Sequence, residues 1–112
     1  MAIPELVRRS AEKQLAEFCR LQSAADRVED GRLTWEGARD HLTLMLERVI
    51  AGQPMRRPLA RFSFSQELGQ WTLHHLDNRG RWVFYLNAGA SLDFSRLLKV
   101  LAADPLHFFW PE

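Results

Sequence analysis

The chain has 112 residues, 46% of them hydrophobic and 26% charged, and its 15 basic and 14 acidic side chains leave a formal net charge of +1. That length buries a core without metal or disulfide staples, and the composition is close to that of ordinary globular proteins. The near-zero balance lacks the bulk basic footprint common in nucleic-acid binders, and the lone Cys19 cannot form an intrachain disulfide.

A single domain over residues 1–112 is expected, in a reducing, cytoplasmic setting. The opening MAIPELVRRSAEK has no apolar run leading to a cleavage site. No stretch approaches the roughly 18 apolar residues of a membrane span, so no membrane association is expected.

In chain order, Ile3-Pro4-Glu5 opens a helix, with proline where a missing N–H costs nothing and Glu5 at the positive end of the dipole. Val7, Ala11, Leu15, Phe18, Cys19, Gln22 and Ala25 then recur at helical spacing and form the buried stripe. Arg8, Arg9, Glu12, Lys13, Glu17 and Arg20 form a solvated face. Asp30-Gly31 ends this element, and Arg32 to Glu36 alternates with period two as a short strand.

Residues 41–49 also read as a strand, with Leu42, Leu44 and Leu46 on one face and His41, Thr43 and Glu47 on the other. The stretch AGQPMRRP from Ala51 to Pro58 is expected to be a loop, because its two prolines remove backbone donors. Strands are expected again over 59–65, 71–76 and 81–86. Ser91 is the expected N-cap of a last helix whose stripe is Phe94, Leu97, Leu98 and Leu101, stopped by Asp104-Pro105. The closing LHFFWPE is expected to fold back over the sheet.

Short connections make neighbouring strands pair in order. The expected class is α+β: an N-terminal helix, a five-stranded antiparallel meander and a C-terminal helix. The strongest local signal is the hairpin WTLHHLDNRGRWVFY, Trp71 to Tyr85. A four-residue loop over Asp77 to Gly80 would set Trp71 on the same face as Trp82. A three-residue loop, Asn78-Arg79-Gly80, with Gly80 left-handed in a G1 bulge, sets them on opposite faces. Glycine in the last turn position favours the second. Whichever aromatic face the helices then leave bare is where a partner would dock.

Glu12, Phe18-Cys19, Glu47-Arg48, Pro58, Ala60-Arg61-Phe62, Trp71-Thr72-Leu73, Asp77, Gly80-Arg81-Trp82, Tyr85, Leu97-Leu98, Asp104-Pro105 and Phe109-Trp110 together resemble a small bacterial family, domain-of-unknown-function family thirty-twenty-four. The resemblance spans nearly the whole chain and implies one small α+β domain. It implies no activity and carries over no functional residue. Val49 and His74-His75 depart from the richer arginine and aromatic pattern of those positions.

Chemistry is sparse in the sequence. His74 and His75 are adjacent in a strand and point to opposite faces, and His41 and His107 lie in separate elements, so no metal site is expected. Cys19 sits on the apolar helix stripe, where cysteine is usually inert. Glycines occur singly, which gives no phosphate-cradling loop. Glu29 and Asp30 suit a helix end. No enzyme activity and no cofactor are expected.

One constellation stands out: Arg48, Arg56, Arg57 and Arg61 fall in a stretch, 48 to 66, without an acidic residue, beside strands carrying Trp71, Arg81 and Tyr85. Guanidinium groups clamp carboxylates or phosphates, and aromatic faces take apolar anchors or bases. The expected function is therefore a non-catalytic binding or adaptor module acting on an unidentified protein partner through a sheet face and an arginine-rich loop. Two further expectations are a nucleic-acid-binding accessory role for the same arginines, the lesser one, and a homodimer through the unprotected last strand.

Overall fold

The computed structural model describes residues 2–24 and 31–110. The expected end of the first helical stripe at Ala25 and the acidic pair Glu29-Asp30 lie outside the described residues. The architecture is the expected one: helix α1 (Glu5–Ala24), strands β1 (Gly31–Gly37), β2 (His41–Ile50), β3 (Gln53–Ser65), β4 (Gln70–Leu76) and β5 (Trp82–Phe84), then helix α2 (Phe94–Ala103). All five strands pair antiparallel in the order β1-β2-β3-β4-β5. No helix among the described residues is long and apolar enough to cross a membrane.

Period-two patterning sorts each strand into an inner and an outer row. The inner row of β1 to β4 includes Leu33, Leu42, Leu44, Leu46, Ala60, Phe62, Trp71 and Leu73, all buried. On α1 the predicted stripe is buried at Ala11, Leu15, Phe18 and Cys19, and on α2 at Phe94, Leu97, Leu98 and Leu101. These rows form one cluster, so α1 and α2 lie on the same side of the sheet. Ring packing of Phe94 on Phe62 and Trp71, with centroids 4.8 and 4.9 Å apart, ties α2 to β3 and β4.

Residues 53–58 depart from the expected loop and are strand. Ala51 and Gly52, with φ of 52° and 78°, make the two-residue turn whose backbone twist suits a tight hairpin, and pairing continues as Ile50↔Gln53, Val49↔Pro54 and onward to Met45↔Pro58. Counting from that turn, Pro54 and Pro58 fall at the pairs that exchange no hydrogen bonds with β2. Their missing N–H positions face the other edge of β3, where β4 pairs only with residues 61–65. The prolines therefore remove no ladder bond. A bulge then intervenes: Leu44 pairs with Ala60 and Met45 with Pro58, leaving Leu59 extra. Both Leu59 and Ala60 are buried as a result.

The hairpin adopts the three-residue form. Gly80 has φ 75°, its N–H donates to the Asp77 carbonyl, and Asp77 N–H donates to the Arg81 carbonyl at 2.9 Å. His75 pairs with Val83 and Leu76 with Trp82. Trp71 and Trp82 are consequently on opposite faces.

Ser91 is not the N-cap of α2. Its backbone is held extended by reciprocal hydrogen bonds with Trp71, at 2.8 and 2.9 Å, so the helix cannot begin there. Asp93 caps it instead, accepting from Ser95 N–H at 3.0 Å.

At the other end Asp104 takes a left-handed conformation, φ 41°, and its carboxylate, buried to 3% exposure, accepts the backbone N–H groups of Phe108, Phe109 and Trp110. This clamp folds the tail back. Phe109 packs on Tyr85 at 5.0 Å, and Trp110 Nε1 donates to the Leu101 carbonyl at 2.8 Å.

Replacing Asp104 strands those N–H groups. Asp104→Ala is expected to lower stability by about 3 kcal/mol, and Asp104→Asn, which keeps one acceptor oxygen, by about half as much. Urea unfolding of the three proteins, read as a change in midpoint, checks this.

Candidate functional site

With both helices on the inner side, the outer row of the sheet has no element over it among the described residues. That row runs Arg32, Thr34, Glu36 on β1; His41, Thr43, Met45, Glu47 on β2; Arg56, Pro58, Arg61 on β3; Thr72, His74, Leu76 on β4; and Trp82, Phe84 on β5. It divides into two electrostatically different halves.

The first half is internally neutral. Arg32, Glu47 and Arg56 stand directly opposite one another across three strands. Arg32 Nε reaches Glu47 Oε1 at 2.9 Å and Arg56 Nε reaches Glu47 Oε2 at 3.0 Å, while Arg56 also pairs with Glu36. Two guanidinium groups and two carboxylates thus form a closed ladder.

The second half centres on Arg61. Its Nε donates to Thr43 Oγ1 at 3.2 Å, and its guanidinium carbon lies 4.6 Å from the centroid of the Trp82 ring, a cation–π contact. Burial pushes the Arg61 pKa down, against the opposing pull of the Asp40 charge. Asp40 itself is engaged by His41, whose Nδ1 lies 2.8 Å from its carboxylate and holds that carboxyl below the ordinary range. Among the described residues no acidic side chain stands within ion-pair distance of Arg61. Next to it, His74 bonds Thr72 Oγ1 through Nε2 at 2.9 Å and has its pKa lowered, first by burial and then by the Arg61 charge. A depression of about 270 Å³ opens here, walled by Glu36, His41, Thr43, Met45, Pro58, Arg61 and Trp82.

The residues singled out in the sequence are not all brought together. Arg56 and Arg61 do share the open face. Arg48 and Arg57 lie in the opposite row, the one that continues from Leu46, but at the end of the sheet Arg48 lines a concavity of about 610 Å³ together with Arg32, Glu47, Arg56, Pro54 and Met55. Arg81 is in the hairpin turn, bound to Asp77 at 3.2 Å. There the Arg81 and Arg79 backbone N–H groups hold the Asp77 carboxyl below its usual range. Trp71 and Tyr85 are 2% and 1% exposed and belong to the core, because the bulged hairpin turns them inward. The aromatics that reach the open face are Trp82 and Phe84, the side that the favoured register assigns to them. Met45, Pro58 and His74 were missed because they do not stand out by composition. Their signal is parity alone, counted from the leucines of β2 and corrected for the bulge.

Other chemistry has little footing. No group of three or more His, Cys, Asp or Glu residues is placed to hold a metal ion among the described residues. Cys19 is buried and its thiol is pushed up to about 12 by desolvation, which leaves almost no thiolate at neutral pH.

Fold and site together define a small α+β domain whose meander sheet is covered on one face by both helices and, among the described residues, open on the other. The chain belongs to the family described as domain of unknown function DUF3024, whose model matches residues 3–111. No curated protein and no solved structure matches it.

Two measurements check this description. Glu47 holds two arginines from one position, so Glu47→Ala is expected to cost about 1 kcal/mol in urea unfolding, less at high salt. By NMR titration His74 is expected to protonate below 6.5, the ordinary value, and to move upward in Arg61→Gln. Because the unfolded chain binds this proton more readily, His74 lowers stability as pH falls from above 6.5 through its folded pKa. An unchanged His74 titration in Arg61→Gln would contradict the assigned proximity.

Proposed function

We propose that the chain is a non-catalytic binding module that acts, in the cytoplasm, on a protein partner through the open face of its sheet. The observation that carries this reading is the asymmetry of the sheet: one face is sealed by both helices, while the other presents Trp82 and Phe84 beside a guanidinium, Arg61, with no counter-ion among the described residues. Aromatic and arginine side chains together are what binding hot spots are built from. The arginine-rich loop drops out of the reading, since those residues are strand and Arg56 is committed to Glu47 and Glu36.

The same commitment weighs against a nucleic-acid role. A phosphate track needs several unpaired cations on one face, yet on the open face Arg32 and Arg56 have carboxylate partners, and Arg48 and Arg57 lie in the opposite row. Dimerisation through β5 has slight support, because Trp82–Phe84 offers only three residues for strand addition.

Native pull-down with the full chain, compared with Trp82→Ala and with an exposed helix variant, Lys13→Ala, tests the reading. Proteins retained by the wild type and by Lys13→Ala but lost from Trp82→Ala are the expected result. Identical recoveries from all three would end it. An oligonucleotide bound at low salt and released steeply as salt rises would replace it with the nucleic-acid role.

A further inference from the structure

We infer that the depression at Arg61 and Trp82 is a carboxylate site, which takes an Asp or Glu side chain presented beside an aliphatic residue on an extended segment of the partner protein. This rests on the proposal that the open face is the binding surface, and it names the chemistry of what binds there.

Three observations converge on it. The Arg61 guanidinium is partly desolvated and has no counter-ion among the described residues, a condition that a bound carboxylate relieves. It is also preorganised: Thr43 fixes Nε from one side and the Trp82 ring supports the plane, while neither terminal nitrogen has a hydrogen-bond partner among the described residues. Those two nitrogens are the fork that receives a carboxylate in bidentate fashion. The one acidic group whose charge reaches Arg61, Asp40, is occupied by His41 and does not compete at close range.

The shape of the site sets what accompanies the carboxylate. Met45, Pro58 and Trp82 give apolar walls, and the volume, about 270 Å³, falls below the roughly 300–1,000 Å³ of small-molecule pockets. It suits side chains of a peptide better than a cofactor.

Charge on the same face selects between macromolecules. Glu36, itself a wall of the depression, is paired with Arg56, and Glu47 beyond it is paired with Arg32 and Arg56, so this part of the face is neutral. A phosphodiester chain crossing the sheet would find the arginines of that ladder already paired. A single carboxylate docking at Arg61 need not cross them.

The test uses the full chain labelled with ¹⁵N at low salt and, as probe, a short blocked peptide alternating Glu and Val. The expected result is movement of the Trp82 indole N–H and of the Thr43 and Arg61 amides. Binding should weaken at least roughly tenfold for the same peptide carrying Gln in place of Glu, and by a similar factor in Arg61→Gln. Arg61→Lys, which keeps charge without the fork, should fall between. Should Arg61→Gln fail to fold, the Gln peptide and Arg61→Lys still decide.

Equal response to the Glu and Gln peptides, or no response at Trp82, would overturn the inference. So would a short single-stranded DNA that moves the same resonances more strongly than the peptide. In the first two cases a partner lost from Trp82→Ala in the pull-down would still uphold the binding module, so the two readings fail separately.

Discussion

A sheet with helices on only one side has a single dry face, and every strand must aim its apolar row at it. Because side chains alternate with period two, a one-residue error in any strand would send that row into solvent. Two irregularities keep the count correct here. The extra Leu59 in β3 lets Pro54, Arg56 and Pro58 lie outward on one side of the bulge and Arg61 on the other, with Leu59 and Ala60 both inside. Gly80, at φ 75°, does the same for the hairpin, turning Tyr85 in and Trp82 out. Remove either and the open face changes composition. The site at Arg61 thus depends on backbone geometry at Leu59 and Gly80, neither of which contributes a side chain to it.

Element type and order were legible because local chemistry and tertiary need agree. The leucines of β2 alternate, the α2 stripe repeats at helical spacing, and Gly80 sits where only a left-handed residue closes a three-residue loop. The misread stretch is instructive. Two prolines in AGQPMRRP argue for a loop unless their missing donors face an unpaired edge, and that depends on how far β4 extends, which is not a local property. Ser91 misleads for a related reason: it is a good cap by type, but its backbone is claimed by Trp71 from a distant strand. Long-range pairing overrode local preference both times.

The candidate site was legible only in part, because composition shows which residues could bind and parity decides which are available. Arg61 stands out in the sequence by composition, and the register places it on the open face. Trp71 and Tyr85 have the right chemistry and the wrong face, whereas Trp82 shares their chemistry and is turned outward by one glycine. Arginine count misled in a different way. The stretch 48 to 66 has no acidic residue, which suggests free cations, yet the strand pairing delivers Glu47 directly opposite both Arg32 and Arg56. Of the arginines in that stretch, Arg56 is the one the pairing opposes with carboxylates among the described residues.

That cross-strand pairing also gives the open face its functional contrast. Exposed ion pairs contribute little stability individually, so the ladder over β1 to β3 matters less for holding the sheet than for removing two arginines from circulation. What remains on that face among the described residues is Arg61, set among Trp82, Met45 and Pro58, held by Thr43 and flanked by His74, whose pKa burial and the Arg61 charge lower. A surface of many free arginines would attract any polyanion. A face on which Arg61 alone among the described outer-row arginines lacks a carboxylate partner, set in apolar walls beside a neutral ladder, has no such breadth of positive charge, and the register decides this by which arginines it neutralises.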